Sequence, residues 1–382
     1  MSKATKRVGR RVRAWTALLA VALLGSAVFA SAAQAVPGNF WGVVPQATPS
    51  DEQFQLLKRG GVDSIRIPIE WGAVQPLPGG PVNWSGVDAM VGRAANVGAE
   101  VLPFISGAPG WAVPAIFVPG SGKTAKAPAH LPASGAAAGA WKSFVAQAVA
   151  RYGPVGSFWA ENPAIPKHPI RTWQIWNEQN FPYFVAKPNP AEYGKLVRLS
   201  YTALKGADPG AKLLLGGMFA LPKGCRSKVK PKRSYCATDF LEQMYEKTPG
   251  IKSKFVGVAL HPYTTRYQLL TPEIEEFRGV LKAAADAAKP LWITELGWSS
   301  EPPAPTTNVF AKGIAGQATQ LKGAFALLKA KQVKWKLKRV YWFSVDDQAG
   351  TCNFCDGSGL FAQGFVPKKS WFAFVKFAGG TP

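Results

Sequence analysis

Residues 171–180, Arg-Thr-Trp-Gln-Ile-Trp-Asn-Glu-Gln-Asn, and residues 290–299, Pro-Leu-Trp-Ile-Thr-Glu-Leu-Gly-Trp-Ser, follow one pattern: an apolar, β-prone run stops at a glutamate and gives way to polar or loop-forming residues. A parallel strand covered on both faces reads as such a run, and its end is where a functional rim begins. Working outward from the strands at 172–176 and 291–294, comparable runs stand at 40–44, 64–68, 100–105, 212–216, 255–260 and 339–343. Between them, 51–59, 87–97, 139–152, 190–207, 237–246, 272–288 and 311–331 carry apolar residues at helical spacing. Ser50 before Asp51 reads as a capped helix start. Strands alternating with helices imply parallel pairing through crossovers. The expected fold is therefore α/β, a single (β/α)₈ TIM barrel, with the Pro-, Gly- and Ala-rich stretch 106–135 as a loop insertion on the C-terminal face.

The first 35 residues stand apart from this pattern. A basic head (Lys3, Lys6, Arg7, Arg10, Arg11, Arg13) precedes an apolar run from Ala14 to Ala30, and Ala33-Gln34-Ala35 supplies a small-x-small cleavage signal. The expected organisation is a secretory signal peptide over 1–35, cut after Ala35, and a catalytic barrel over 36–382. The destination is then extracellular. Cys225 with Cys236, and Cys352 with Cys355, are each local in sequence and lack the clustered histidines of a zinc site, so an oxidising compartment points to two disulfides.

The formal net charge is +23, and six of the positive charges lie in the leader. Lys223, Arg226, Lys228, Lys230, Lys232 and Arg233 cluster in one segment. This loop is either solvated or a patch for an anionic cell-envelope polymer. No aromatic stripe or helix interleaves with its charges, which argues against a specific nucleic-acid partner. The segment 120–124, Gly-Ser-Gly-Lys-Thr, imitates the end of a phosphate loop, but Phe117 stands where the first glycine would be needed. Three scattered histidines and the lack of an Asp-rich loop imply no metal and no organic cofactor. A monomer is expected.

Two carboxyls on facing rim positions are the minimum equipment for cleaving a glycosidic bond. In the retaining form, one is protonated to assist the leaving oxygen and the other is ionised as nucleophile, roughly 5 Å away across the sugar. Glu178 and Glu295 close the fourth and seventh strands. Trp176 and Asn177 give Glu178 a partly apolar setting, which would raise its pKa as an acid requires. Trp298 and Trp342 stand at strand ends where a flat sugar face could stack.

With Trp176-Asn177-Glu178 and Ile293-Thr294-Glu295-Leu296-Gly297-Trp298, the chain resembles the glycoside hydrolases of clan A, retaining (β/α)₈ enzymes that include families 5 and 39. Ile65-Arg66-Ile67-Pro68 is similar to that clan's second-strand arginine, which steadies the nucleophile. His261-Pro262-Tyr263 is similar to its sixth-strand His-x-Tyr, and Tyr341-Trp342-Phe343 to its eighth strand. The segment from Pro81-Val82-Asn83-Trp84 through Leu102-Pro103-Phe104 leans toward family 39, while families 5 and 39 share the remaining features. The resemblance implies Glu178 as acid/base, Glu295 as nucleophile, and Asn177, Arg66, His261, Tyr263, Trp298 and Trp342 as substrate-binding residues, with a carbohydrate as substrate. Gln179 departs from the pattern, since proline ordinarily follows the Asn-Glu pair. The competing expectation is a carbohydrate-binding or envelope-associated barrel without turnover.

Overall fold

The computed structural model of the protein describes residues 36–118, 126–226, 233–304, 307–350 and 355–382. The leader 1–35, the glycine-rich 120–124, Lys228, Lys230, Lys232 and Cys352 lie outside the described residues. Eight strands, β1 (Trp41–Val44), β2 (Ser64–Glu70), β3 (Glu100–Ser106), β4 (Thr172–Asn177), β5 (Lys212–Phe219), β6 (Val258–His261), β7 (Leu291–Leu296) and β8 (Leu337–Phe343), close into a barrel in sequential order. All neighbours are parallel, and β1 seals the ring against β8, with Trp41 opposite Val340 and Val44 opposite Phe343.

A helix follows each strand: α1 (Asp51–Arg59), α2 (Ser85–Asn96), α3 (Gly135–Tyr152), α4 (Pro190–Ala207), α5 (Ala237–Lys247), α6 (Leu270–Ala283), α7 (Gly313–Lys331) and α8 (Lys369–Ala378). This is the expected (β/α)₈ fold. Residue chemistry fixes several helix starts. Ser50 and Gln53 form a reciprocal capping box at α1, and Asn189 accepts from the Ala191 and Glu192 amides at α4, where Pro190 opens the first turn. Within the loop at 106–135, Ala115–Phe117 pairs antiparallel with Lys126–Pro128, a ribbon the composition does not signal.

The core has two layers, as a barrel requires. Val44, Leu102, Leu214, Ala259, Trp292 and Tyr341 fill the interior, while a larger apolar cluster joins the outer strand faces to the helices. Gly42 has no side chain because a Cβ there would lie 2.6 Å from the Tyr341 ring. Tyr341 then reaches across the interior to Ser64, 2.8 Å away.

α8 is absent from the sequence expectation, although its buried Trp371, Phe374 and Val375 fall at helical spacing. Its Trp371 lies over Gly60 at the end of α1, where a Cβ would come within 2.0 Å of the indole. Lys368, just before α8, is buried and donates to Asp347 at 2.8 Å, Ser300 at 3.0 Å and the Gly357 carbonyl at 3.2 Å, tying together the loops after β7 and β8. Cys225 and Cys236 come together with Cα atoms 4.9 Å apart. Among the described residues, no helix is long and apolar enough to cross a membrane.

Candidate active site

The C-terminal ends of the strands converge on a cluster of buried polar side chains, and the backbone departs from regular strand geometry to assemble it. In an ideal strand only alternate residues face the barrel interior. On β4, Gln174 faces inward and Ile175 outward, yet Trp176 packs outward against Trp141 while both Asn177 and Glu178 turn inward. Left-handed backbone at Trp176 (φ 70°) and Glu178 (φ 44°) breaks the alternation. Such conformations cost on the order of 1–3 kcal/mol each and concentrate at functional sites. On β7 the device is a bulge: Ile293 to Leu296 spans the same ladder as Val340 to Trp342, one residue longer. It lets both Thr294 and Glu295 face the interior.

Glu178 and Glu295 are 6% and 8% exposed. One oxygen of each, together with a ring nitrogen of His261, all lie within 4.8 Å of one another. Glu295 is held at both oxygens: Arg66 donates to Oε1 at 2.7 Å, and the Tyr263 hydroxyl donates to Oε2 at 2.8 Å. Arg66 has no exposed surface, and it also donates to Gln174 at 2.7 Å and Asn177 at 2.5 Å while its guanidinium lies 4.0 Å over the Phe104 ring. Among the described residues, Glu178 has no guanidinium partner. It faces His261 Nδ1 at 2.8 Å, and His261 Nε2 in turn meets Thr294 at 2.9 Å. Gly217 makes room for that ring, since a Cβ there would sit 2.0 Å from Nε2.

These surroundings divide the two carboxyls. Burial first, and the neighbouring Glu295 second, push Glu178 well above the ordinary carboxylate range. Burial also raises Glu295, but the Arg66 charge and the Tyr263 and Arg66 hydrogen bonds hold it back. Of this coupled pair Glu178 takes the first proton and Glu295 carries the charge. Burial, then Arg66, lowers His261 well below its usual value, so its imidazole is neutral at pH 7. Three ligand-bearing side chains this close form a set able to receive a cation. Here, however, Arg66 and Tyr263 already engage both oxygens of Glu295.

The sequence-selected residues separate into two groups. Glu178, Glu295, Asn177, Arg66, His261 and Tyr263 come together. Arg66, likened to an arginine that steadies the nucleophile and also expected among the substrate-binding residues, is completely enclosed and holds Glu295, while His261, expected to bind substrate, is completely enclosed against Glu178. Asn177 spends its carbonyl on Arg66, and among the described residues its amide nitrogen has no hydrogen-bond partner. Trp298 and Trp342, expected to stack on sugar, are both 0% exposed. Their indole nitrogens donate to the Thr264 and Ser358 carbonyls, and the rings pack on each other outside the barrel. The reason is side-chain alternation: on β8, Tyr341 and Phe343 face inward, so Trp342 must face the helices. Phe343 is a half-buried aromatic at the mouth, and its ring meets Tyr263 edge-on at 6.4 Å.

Gln174, Thr294, Phe104 and Gly217 escaped sequence reasoning. Gln174 and Thr294 carried a usable signal, being polar within runs that must be buried on both faces. Gln179, which replaces the expected proline, is buried and donates from its amide to the Gly216 carbonyl at 3.0 Å, anchoring the chain just past Glu178 to β5.

Substituting Arg66 by methionine should destabilise the fold by about 3–5 kcal/mol, because it strands a buried carboxylate and two buried carbonyl oxygens. Urea denaturation would register this as a lower midpoint. An unchanged midpoint would mean that Arg66 does not balance Glu295.

No family model matches the sequence. Among curated proteins, the chain is similar to a β-xylosidase of Geobacillus stearothermophilus, 27% identical over 229 residues that cover 54% of this chain and 41% of that protein. The chain thus spans well under half the length of this relative. Among solved structures, it superposes on a family 39 glycoside hydrolase of Bacteroides cellulosilyticus WH2 with a TM-score of 0.58 at 19% identity, covering 90% of this chain and 64% of the other. It also superposes on a family 39 β-xylosidase of Caulobacter crescentus, with a TM-score of 0.59, 20% identity and coverage of 91% and 72%. An intracellular xylanase of Thermoanaerobacterium saccharolyticum gives a TM-score of 0.57 at 14% identity, covering 88% of this chain and 94% of that one. The chain has the barrel fold of the family 39 glycoside hydrolases.

Proposed function

We propose that the protein is a retaining β-glycoside hydrolase in which Glu178 is the acid/base and Glu295 the nucleophile. The observation that carries this reading is the unequal pair: two buried carboxyls, one oxygen of each within 4.8 Å of the other, of which, among the described residues, only Glu295 is held by an arginine. Retaining enzymes place their carboxyls roughly 5–5.5 Å apart, whereas inverting ones leave several ångströms more for a water. In the first step the Glu295 carboxylate attacks the anomeric carbon while Glu178 gives its proton to the departing glycosidic oxygen. In the second, Glu178 takes a proton from water, whose oxygen displaces Glu295 from the same carbon. Two inversions return the original configuration. His261 holds the Glu178 carboxyl in place, and Arg66 with Tyr263 keeps Glu295 ionised between turnovers.

The likeness to β-xylosidases makes β-xylosides the first substrates to try. Proton NMR of the reaction should show the β-anomer of the sugar forming first, and an initial α-anomer would contradict the mechanism.

Export through the 1–35 leader, with disulfides at Cys225/Cys236 and Cys352/Cys355, completes the proposal. Mass spectrometry of the exported, non-reduced protein should find Val36 at its start and no free thiol. The first bridge, closing a sequence separation of 11, should contribute about 3 kcal/mol by the loop-entropy estimate. Four free thiols would refute it. Attachment of a monomeric enzyme to an anionic envelope polymer through segment 223–233 would appear as salt-sensitive retention on cell walls.

A further inference from the structure

We infer that Tyr183, Phe181 and Phe219 form a platform for the sugar of the leaving group, so that the protein cleaves bonds joining one sugar to another. The inference rests on the proposed role of Glu178 as acid. A proton delivered by Glu178 must reach the glycosidic oxygen, so the leaving group has to lie on the Glu178 side of the site, with the sugar under attack over Glu295. On that side the chain turns immediately: the Phe181 amide donates to the Glu178 carbonyl at 2.8 Å. A continuous run of rings follows. Tyr263, bonded to Glu295, meets Phe219 edge-on at 5.8 Å, Phe219 meets Phe181 at 5.4 Å, and Phe181 meets Tyr183 at 4.8 Å. Exposure rises along this run, from Tyr263 at 9%, through half-buried Phe219 and Phe181, to Tyr183 at 41%. The strip therefore leads from Tyr263, the partner of the nucleophile, to the turn that begins at Glu178, and out into solvent.

Its mounting is rigid. Asn180, between the acid and the platform, is buried and bonds the Phe219 carbonyl at 2.7 Å, the Phe219 amide at 3.1 Å and the Tyr235 carbonyl at 2.8 Å. With Gln179 fixed to Gly216, the rings are held before substrate arrives, which lowers the ordering cost of binding. Tyr183, at the end of the strip, is 41% exposed. A pyranose suits such a partly exposed strip, because one of its faces is apolar C–H and its hydroxyl rim remains in water.

The test compares β-glycosyl fluorides, which carry no leaving-group sugar, with the β-linked disaccharide of the same terminal sugar, across xylose, glucose, galactose and mannose. For the pair that the enzyme turns over, Tyr183→Ala should lower the ratio of kcat/KM on disaccharide to kcat/KM on fluoride on the order of tenfold, the worth of one aromatic contact. Tyr183→Phe, which keeps the ring, should preserve the ratio. A ratio that holds in both Tyr183→Ala and Phe181→Ala overturns the inference and leaves the glycosidase reading standing. An aryl glycoside losing more than the disaccharide would assign the platform to an aromatic aglycone and overturn the sugar assignment. If no fluoride is hydrolysed, the glycosidase reading fails and this inference fails with it.

Discussion

Glu295→Ala is expected to lose about 10⁴- to 10⁶-fold in kcat on β-glycosides, the scale on which removal of a covalent nucleophile acts. The variant also leaves Arg66 buried without its 2.7 Å partner, so some of any loss could come from unfolding. Glu295→Gln separates the two effects, since it keeps the volume and a carbonyl for Arg66 while removing the charge. It should be as inactive and more stable. Azide adds a stereochemical signature. In Glu295→Ala it enters from the vacated face and gives an α-glycosyl azide from a β-donor. Activity retained in both variants would remove Glu295 from the mechanism.

Glu178→Ala should cost about 10²- to 10⁴-fold on substrates with a poor leaving group, the usual contribution of a general acid, and far less on glycosyl fluorides, whose departure needs little proton assistance. Azide should here give the β-glycosyl product, the opposite of the nucleophile variant. The pH profile carries the same assignment. Burial and Glu295 raise Glu178, so its acid form persists above the ordinary carboxylate range, and kcat/KM should fall as pH rises through that elevated value. In Glu178→Gln the alkaline limb should vanish from the residual activity on substrates with a poor leaving group. The stability consequence has a definite sign. A carboxyl whose folded pKa is raised contributes fully below its unfolded value and loses that contribution as pH climbs through the folded one. Glu178→Gln should therefore gain stability relative to the parent with rising pH, which thermal melts at several pH values would record. An alkaline limb unchanged in Glu178→Gln would assign it to another group.

The fold was legible because barrel strands buried on both faces leave continuous apolar runs, and Glu178 and Glu295 interrupt two of them where charge is conspicuous. Which way each side chain points was much less legible. Trp342 and Phe343 are adjacent aromatics, and only the pairing of β8 with β1 and β7 decides that Phe343 faces the mouth. On β7 a one-residue bulge directs both Thr294 and Glu295 inward, and on β4 two left-handed residues do the same for Asn177 and Glu178. Neither device has a composition signal, because no glycine marks it. Arg66 and His261 were identifiable as site residues, but their complete burial is a tertiary fact. It makes them partners of the carboxyls.

The most direct measurement is to trap the covalent intermediate with a 2-deoxy-2-fluoro-β-glycosyl fluoride and map the label by peptide mass spectrometry. A retaining mechanism built on this pair predicts one stoichiometric glycosyl adduct on the peptide containing Glu295, formed by the parent protein and absent in Glu295→Gln. A label on Glu178 or on any other residue would contradict it, as would turnover of the parent β-glycoside with no adduct and an α-configured first product.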